Sequence, residues 1–456
     1  MIPINVQAYR DGLTEPRRIA PLVTFRILFG GLMAAGAFRF MASGWIERLY
    51  GEPDFFFKFY GFEWVAPLSV SGMYWAYGIV GLSALGIMLG LFYRWSALVF
   101  WLSFTYTELI DVTNYLNHYY LVCLLGLLLI FLPAHRRFSL DVWRKPSLRV
   151  ETVPAWCLYV IMLQVGIVYI FAGFAKLNAD WLLRAMPLAV WLPPKADWPV
   201  LGHLFTQSWA AYAFSWSGAL YDLSIPFLLL NRRTRPLAYV AVIAFHLLTR
   251  LLFNIGLFPF IMIFNTLIFF PASAHERWLR KLGYGSGATG KKLVFPKAQV
   301  SLLRAGLLGY FALQLLLPLR FLCYPGNVLW TEEGYRFAWR VMLVEKAGQA
   351  TFTVRDPQTG RQSEVDNTDY LTPYQEKQMA IQPDLILQYA HHLAKVYQQD
   401  YGIANPEVTV DGFVALNGRS SRRLIAPDVN LAAVEDNLWP KSWILPFEDE
   451  EKIAQQ

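Results

Sequence analysis

Long uninterrupted apolar runs govern what this chain can fold into. "LVTFRILFGGLMAAGAF", "YGIVGLSALGIMLGLF", "LVCLLGLLLIFL", "AWCLYVIMLQVGIVYIFAGFA" and "LFPFIMIFNTLIFF" approach or reach the ~20 residues that cross ~30 Å of hydrocarbon. With 55% hydrophobic and only 16% charged residues, the 456-residue chain departs from ordinary soluble composition. The reading is a multispan α-helical membrane protein of about nine spans, at about 19–41, 69–92, 96–115, 116–133, 154–177, 208–230, 236–252, 256–271 and 300–318. A net charge of +7 then reflects basic loops, and no nucleic-acid partner is expected. The segment "MIPINVQAYRDGLTEPRRIA" lacks the short apolar core and small-residue site of a cleaved signal peptide, so none is expected. Cys123 and Cys157 fall inside expected spans, which leaves only Cys323 and no disulfide framework.

Basic residues alternate between loops. Arg10, Arg17 and Arg18 precede the first span, and Arg94 follows the second. Arg136, Arg137, Arg144, Lys145 and Arg149 follow the fourth; Arg232, Arg233 and Arg235 follow the sixth; Arg277, Arg280, Lys281, Lys291, Lys292 and Lys297 follow the eighth. The positive-inside rule places all of these in the cytoplasm, with the N-terminus, and puts the chain beyond about residue 319 outside. Residues 1–318 therefore form the expected transmembrane domain and 319–456 an extracytoplasmic α+β domain. In the latter, "ATFTVRDPQTGRQSEV" reads as a β-hairpin and "EVTVDGFVALN" as a strand. "TPYQEKQMAIQPDLILQYAHHLAKVYQQ" reads as two helices, the first capped by Thr372 with Pro373 in its first turn, the second started by Pro383. "HERWLRKLGYGSGATGKK" is the expected linker.

Polar groups gather at one depth. In "DVTNYLNHYYL" a continuous helix would place Asp111, Asn114 and His118 on one face, with Asn117 beside them. Lys176 ends the fifth span; Tyr169, Ala172 and Gly173 precede it on the same face, and the small residues would let another helix approach. His246, Arg250 and Asn254 form a stripe on the seventh span. Ionisable groups in a bilayer ordinarily face an interior cavity or a partner. Each also has a plainer reading: Lys176 as a snorkelling anchor, His118 and His246 as packing residues bonded to a carbonyl, Asn114 and Asn117 as turn caps, and Arg250 at the headgroups. His391 and His392, adjacent on a helix, are expected to be solvated. No zinc spacing, phosphate loop or nucleophile elbow is present, and no metal is expected.

At "FAGFAKLNADW" the chain resembles the vitamin K-dependent γ-glutamyl carboxylase family and its bacterial relatives, which share the horizontally transferred transmembrane domain. "LNHYYLVCLLGLLL", "FHLLTRLLFNIGLFPFIMI", "YPGNVLWTEEGYRFAWRVML", "FTVRDPQTGR" and "IAPDVNL…WPKSWILPF" extend the resemblance, in family order, over almost the whole chain. The resemblance implies that a lysine deprotonates vitamin K hydroquinone and that oxygen adds to it. The strong base so formed removes a γ-proton from glutamate, the carbanion captures carbon dioxide, and the quinone leaves as its epoxide. By motif Lys176 matches the base, Asn117 and His118 the neighbouring amide–histidine pair, and His246 the histidine of the "FH" motif. Asn114, Tyr169, Phe174 and Arg250 are the candidate quinol-binding residues. Ala175 stands where the vertebrate enzyme has a second lysine, Asn178 where it has an acid, and Leu116 where its asparagine is doubled; Asp180 and Trp181 are kept.

Lysine in water holds its proton at neutral pH. Apolar walls, here expected from Phe171 and Phe174, disfavour the charged form and keep water from a reactive base. The expected co-substrates are the lipid-soluble quinol, O2 and CO2. The expected partners are a glutamate-containing peptide or protein and membrane lipid, and the expected location is a bacterial plasma membrane. Two other readings stay open: quinol epoxidation without protein carboxylation, and a non-enzymatic quinone or lipid carrier.

Overall fold

The computed structural model describes residues 12–199, 201–285, 290–295 and 297–447, the side chains of 297 and 298 excepted. Arg10 and residues 286–289 of the expected linker lie outside the described residues. The principal helices are α1 (Ala20–Ala42), α2 (Val70–Leu89), α3 (Tyr93–Leu109), α4 (Asn117–Phe131), α5 (Trp156–Ala175), α6 (Ala179–Arg184), α7 (Ser208–Leu230), α8 (Arg235–Leu252), α9 (Phe258–Thr266), α10 (Ala272–Arg280), α11 (Lys297–Leu316), α12 (Pro373–Met379) and α13 (Pro383–Asp400).

Local chemistry sets several of these boundaries. The Ser69 side chain accepts the Gly72 N–H at the start of α2, and Gly90 ends that helix in the left-handed region at φ 64°. A Cβ added at Gly30 would lie 2.5 Å from the Met88 nitrogen, so α1 and α2 meet backbone to backbone at this glycine. Gly173 does the same between α5 and α7: a Cβ there would meet Leu223 Cδ2 at 2.7 Å. The expected close approach of a neighbouring helix at Ala172–Gly173 is thus present, and the neighbour is α7.

The count of nine spans is not confirmed. Among the described residues six helical segments are long and apolar enough to cross a bilayer, and a seventh only if Phe258–Phe269 and Ala272–Arg280, bent by 116°, are taken as one. Helices α3 and α4 have 17 and 15 residues, at and just below the short end of the ~17–25 that cross a bilayer. An apolar run along the sequence does not separate a span from a short helix buried among its neighbours. Helix α4 is packed deep among its neighbours, with Leu121, Val122, Leu125 and Leu129 fully enclosed.

Two short strands of the bundle part, β1 (Pro16–Arg18) and β2 (Thr152–Pro154), pair antiparallel, and the C-terminal part carries a four-stranded antiparallel sheet. β3 (Lys346–Arg355) pairs with β5 (Glu407–Leu416) along its whole length, from Lys346↔Leu416 to Arg355↔Glu407. β4 (Gln362–Glu364) covers only Thr353 to Arg355 of β3, and β6 (Arg422–Arg423) adds a short edge beside β5. The hairpin turns where expected: the Asp356 side chain accepts from the Gln358 N–H and the Thr359 hydroxyl, and Gly360 takes φ 72°. Thr372 caps α12 in a reciprocal box with Gln375, with Pro373 in its first turn. Alternate residues Ala350, Phe352 and Val354 of β3, with Val408, Val410 and Val414 of β5, pack against Leu385, Tyr389 and Leu393 of α13. His391 and His392 are half-buried rather than solvated: His391 Nε2 lies 2.8 Å from the Val434 oxygen and the His392 ring 4.3 Å from that of Phe55.

This unit caps one end of the bundle. Trp181 and Leu252 belong to the same buried cluster as the sheet. Polar ties run from Asn417 to Asp180, from Gln375 to Asp111 and from the Tyr374 hydroxyl to the Thr113 oxygen.

Candidate active site

The stretch "AKLNADW" folds as a helix end followed at once by a helix start. Lys176 is the last right-handed residue of α5 (φ −81°, ψ −11°) and its N–H donates to the Gly173 oxygen. Asn178 then caps α6: its Oδ1 accepts the Trp181 N–H at 3.0 Å while its Nδ2 donates to the Ala175 oxygen at 2.8 Å. This double tie turns the chain back and lays Trp181 over the lysine, with Nζ 5.2 Å from the indole centroid. The indole Nε1–H is anchored to the Ser215 oxygen of α7 at 2.7 Å.

Lys176 is not a snorkelling flank. It is only 5% exposed, and its Nζ donates to Asp222 Oδ2 at 2.7 Å and to the Ala172 oxygen at 3.3 Å. Asp222 lies on α7, which Gly173 admits to close range, and is itself 5% exposed. The pair carries no net charge whether the proton rests on nitrogen or on oxygen. That makes it tolerable among apolar walls, where a lone ion is not.

Beside the pair is an enclosed cavity of about 150 Å³. Lys176, Asp222, Tyr169, His246, Ser217 and Thr249 supply its polar groups, and Trp181, Phe214, Leu248, Phe253, Phe258 and Met262 are part of its apolar wall. Tyr169 and His246 are joined, hydroxyl to Nε2, at 2.9 Å, and Tyr221 adds a third ring 3.4 Å from the Tyr169 hydroxyl. His246 Nδ1 is buried with no hydrogen-bond partner among the described residues. His118, in the first turn of α4, is buried and lies behind Phe258, whose ring stands 5.7 Å from it and 5.6 Å from His246. The His118 Nε2 is likewise unpartnered. His118 does not line the cavity, from which Phe258 separates it. Asn117 acts as a tie: its Nδ2 donates to the Arg340 oxygen at 3.0 Å and its Oδ1 accepts from the Tyr115 hydroxyl at 3.0 Å. It fixes the irregular segment whose Val341 and Met342 line the cavity.

Several expected members do not join. Asp111, Asn114 and His118 do not share a helix face, because the Asp111 side chain captures the Thr113 N–H and hydroxyl and caps a single turn, Val112–Asn114. Tyr115 and Leu116 are then extended, and α4 starts only at Asn117. Asn114 is half-buried and off the cavity wall. Arg250 and Asn254 are exposed, beyond the end of the stripe that His246 begins. Phe174 is 55% exposed and, with Phe171, lines a different groove, so the walls around the lysine come from α7, α8 and Trp181 instead. Asp222 escaped the sequence reading. Its signal was an acid in the middle of the apolar run "SGALYDLSIPFLLL", which itself calls for a cationic partner. Among the described residues no group of three or more His, Cys, Asp or Glu could hold a metal ion.

An apolar helical bundle with a buried lysine–carboxylate pair at its capped end defines a polytopic membrane protein with an interior polar site. The family profile described as HTTM domain matches residues 14–273, and that described as vitamin K-dependent gamma-carboxylase, lumenal domain, matches residues 299–450. The chain belongs to the vitamin K-dependent γ-carboxylase family. No solved structure gives a significant match.

Proposed function

We propose that this protein is an integral-membrane vitamin K-dependent γ-glutamyl carboxylase. It would couple oxygenation of the hydroquinone to its epoxide with carboxylation of a glutamate side chain. In the balance, quinol, O2, CO2 and the glutamate γ-C–H give epoxide, water, γ-carboxyglutamate and a proton. The observation that carries the reading is the Lys176–Asp222 pair, enclosed with Tyr169–His246 beside a small apolar cavity. Lys176 takes the quinol hydroxyl proton while Asp222 fixes its Nζ, and the positive charge the pair gains is balanced by the quinolate formed beside it. His246, on the cavity wall, would offer a hydrogen bond to a ring oxygen. The enclosing aromatics keep water from a strong base. A volume of about 150 Å³ is below the ~300–1,000 Å³ of common ligand pockets and suits the ring head alone. Ser217, an exposed residue of α7, belongs to the lining, which gives a prenyl tail a way out towards lipid between α7 and α8.

The polar groups of the site would belong to residues 1–318, with Val341 and Met342 of the cap completing its wall, and the peptide seat to 319–456. Support for the seat comes from β3, whose edge beyond β4 opens at Gly348 into a groove of about 600 Å³ beside α12. An extended peptide can pair with such an edge through its main chain. The basic-loop alternation supports a cytoplasmic N-terminus and an extracytoplasmic cap in a bacterial plasma membrane. The deciding experiment supplies purified protein in lipid with reduced vitamin K, O2, labelled CO2 and a glutamate peptide. Epoxide together with labelled peptide is expected. Epoxide alone would establish quinol oxidation without carboxylation, and quinone binding with neither product would establish a carrier.

A further inference from the structure

A second, larger space adjoins the catalytic cavity across a thin wall. It is a groove of about 780 Å³, and the wall is built from the end of α5 and the segment 338–342. Ala175 and Arg340 face the groove where Lys176 and Val341 line the cavity. The groove is divided by polarity. Its floor is Phe174, Leu177 and Leu319, which are 55%, 51% and 41% exposed and stand at the cap-side ends of two apolar helices. In a bilayer these side chains meet acyl chains.

The roof is cationic, from Arg184, Arg340 and Arg419, with Asp180 as the carboxylate among them. Asp180 is bound by Arg419 and, at 3.2 Å, by Arg184. Arg340 has no such tie. It is 7% exposed, its Nε is buried without a hydrogen-bond partner, and among the described residues no carboxylate lies within ion-pair distance of it. Its guanidinium rests on the Phe321 ring, 4.3 Å from the centroid. A nearly buried cation without a counter-ion is costly unless something else supplies the charge, and a guanidinium fork matches phosphate oxygens.

We propose that this groove binds an anionic phospholipid of the cap-side leaflet, its phosphate on Arg340 and its acyl chains along Phe174, Leu177 and Leu319. A quinol brings no negative charge for Arg340, and a peptide glutamate brings no chains for the floor. Only a charged amphiphile satisfies both halves. The site requires that the protein lie in a membrane and is independent of the carboxylation reading.

The full-length protein, purified in neutral detergent after exposure to equal phosphatidylglycerol and phosphatidylcholine, is analysed by native mass spectrometry. Selective retention of phosphatidylglycerol is expected. Arg340→Gln should lower it by about tenfold or more, the loss of one charge-assisted contact, while Arg340→Lys keeps part of it. Equal retention of both lipids, or unchanged retention in Arg340→Gln, overturns the proposal. Displacement of the lipid by inorganic phosphate or by a soluble glutamate peptide also overturns it, by showing a site for the anion alone. Should Arg340→Gln not fold, Leu319→Asp at an exposed position sets a carboxylate beside the chains and should abolish retention; retention at the wild-type level then overturns the proposal.

Discussion

Asp222 determines what Lys176 can do. A buried ammonium deprived of its carboxylate costs ~3–5 kcal/mol, whereas replacing both partners by apolar groups of similar size is often neutral. Asp222→Asn is therefore expected to lower the unfolding midpoint clearly, and Lys176→Met with Asp222→Leu to restore much of it, measured by thermal unfolding in detergent. Asp222→Asn and Lys176→Ala should each reduce epoxide formation by ~10²–10⁴-fold, the range for losing a positioned base. A Lys176→Ala protein within a few-fold of wild-type turnover would remove the lysine from the mechanism. Tyr169→Phe leaves His246 Nε2 as a second orphan on that ring and should cost ~1–3 kcal/mol. At this scale the sequence was readable where a residue's own neighbours explain it. Lys176 stood out because its flanks were apolar and its motif compact. Asp222 did not, because its meaning depends on α7 lying against Gly173, a contact between residues far apart in the chain.

Elements with local signals were legible: the Thr372 cap, the Asp356–Gly360 turn and the alternating strand β5. The break before α4 was not, because one aspartate hydrogen-bonding its own backbone overrode an otherwise helical pattern. That break turns Asp111 away from the cavity and towards the cap, where Gln375 Nε2 donates to its Oδ2 at 3.0 Å and to the Phe55 oxygen at 2.7 Å. The same amide closes the capping box of α12, since its Oε1 accepts the Thr372 N–H at 3.2 Å. One side chain thus ends a helix and fastens it to two loops of the bundle. Gln375→Ala should lose ~1 kcal/mol with the cap and a further ~1–3 kcal/mol from the stranded Asp111 oxygen. Hydrogen exchange should quicken over residues 373–379 and 111–114; protection as in wild type would show that the fastening adds nothing.

The seam between bundle and cap is electrostatic as well as apolar. Burial pushes the Asp180 carboxyl up, but hydrogen bonds from Arg419 and Asn417 outweigh it and hold the group below its usual value. A lowered carboxyl contributes fully above its unfolded value of about 3.9, and the contribution is lost as pH falls through the folded value. Thermal unfolding of the wild type should therefore weaken steeply in that acid window. Asp180→Asn should be weaker at neutral pH and flatter with acid. For orientation, a cysteine at Ser363, exposed on β4, should react with a membrane-impermeant reagent in intact cells. Reaction only after lysis would place the cap, and the peptide with it, inside. The number of spans was the least legible feature of the whole molecule, because helices buried within the bundle carry the same apolar signature as those that face lipid.

The neutral lysine–aspartate pair also has an electrical consequence. Carrying one elementary charge across a membrane held at 100 mV involves ~2.3 kcal/mol of work. Beside a pair that starts neutral, a proton passed from the quinol to Nζ leaves the quinolate next to the cation it makes, so the site as a whole gains no net charge and little charge moves along the field. Turnover in sealed vesicles should therefore be indifferent to an imposed potassium diffusion potential, leaving the enzyme free to work at the same rate in a de-energised cell. A rate that follows the imposed voltage would mean that an unbalanced charge crosses part of the bilayer in each cycle.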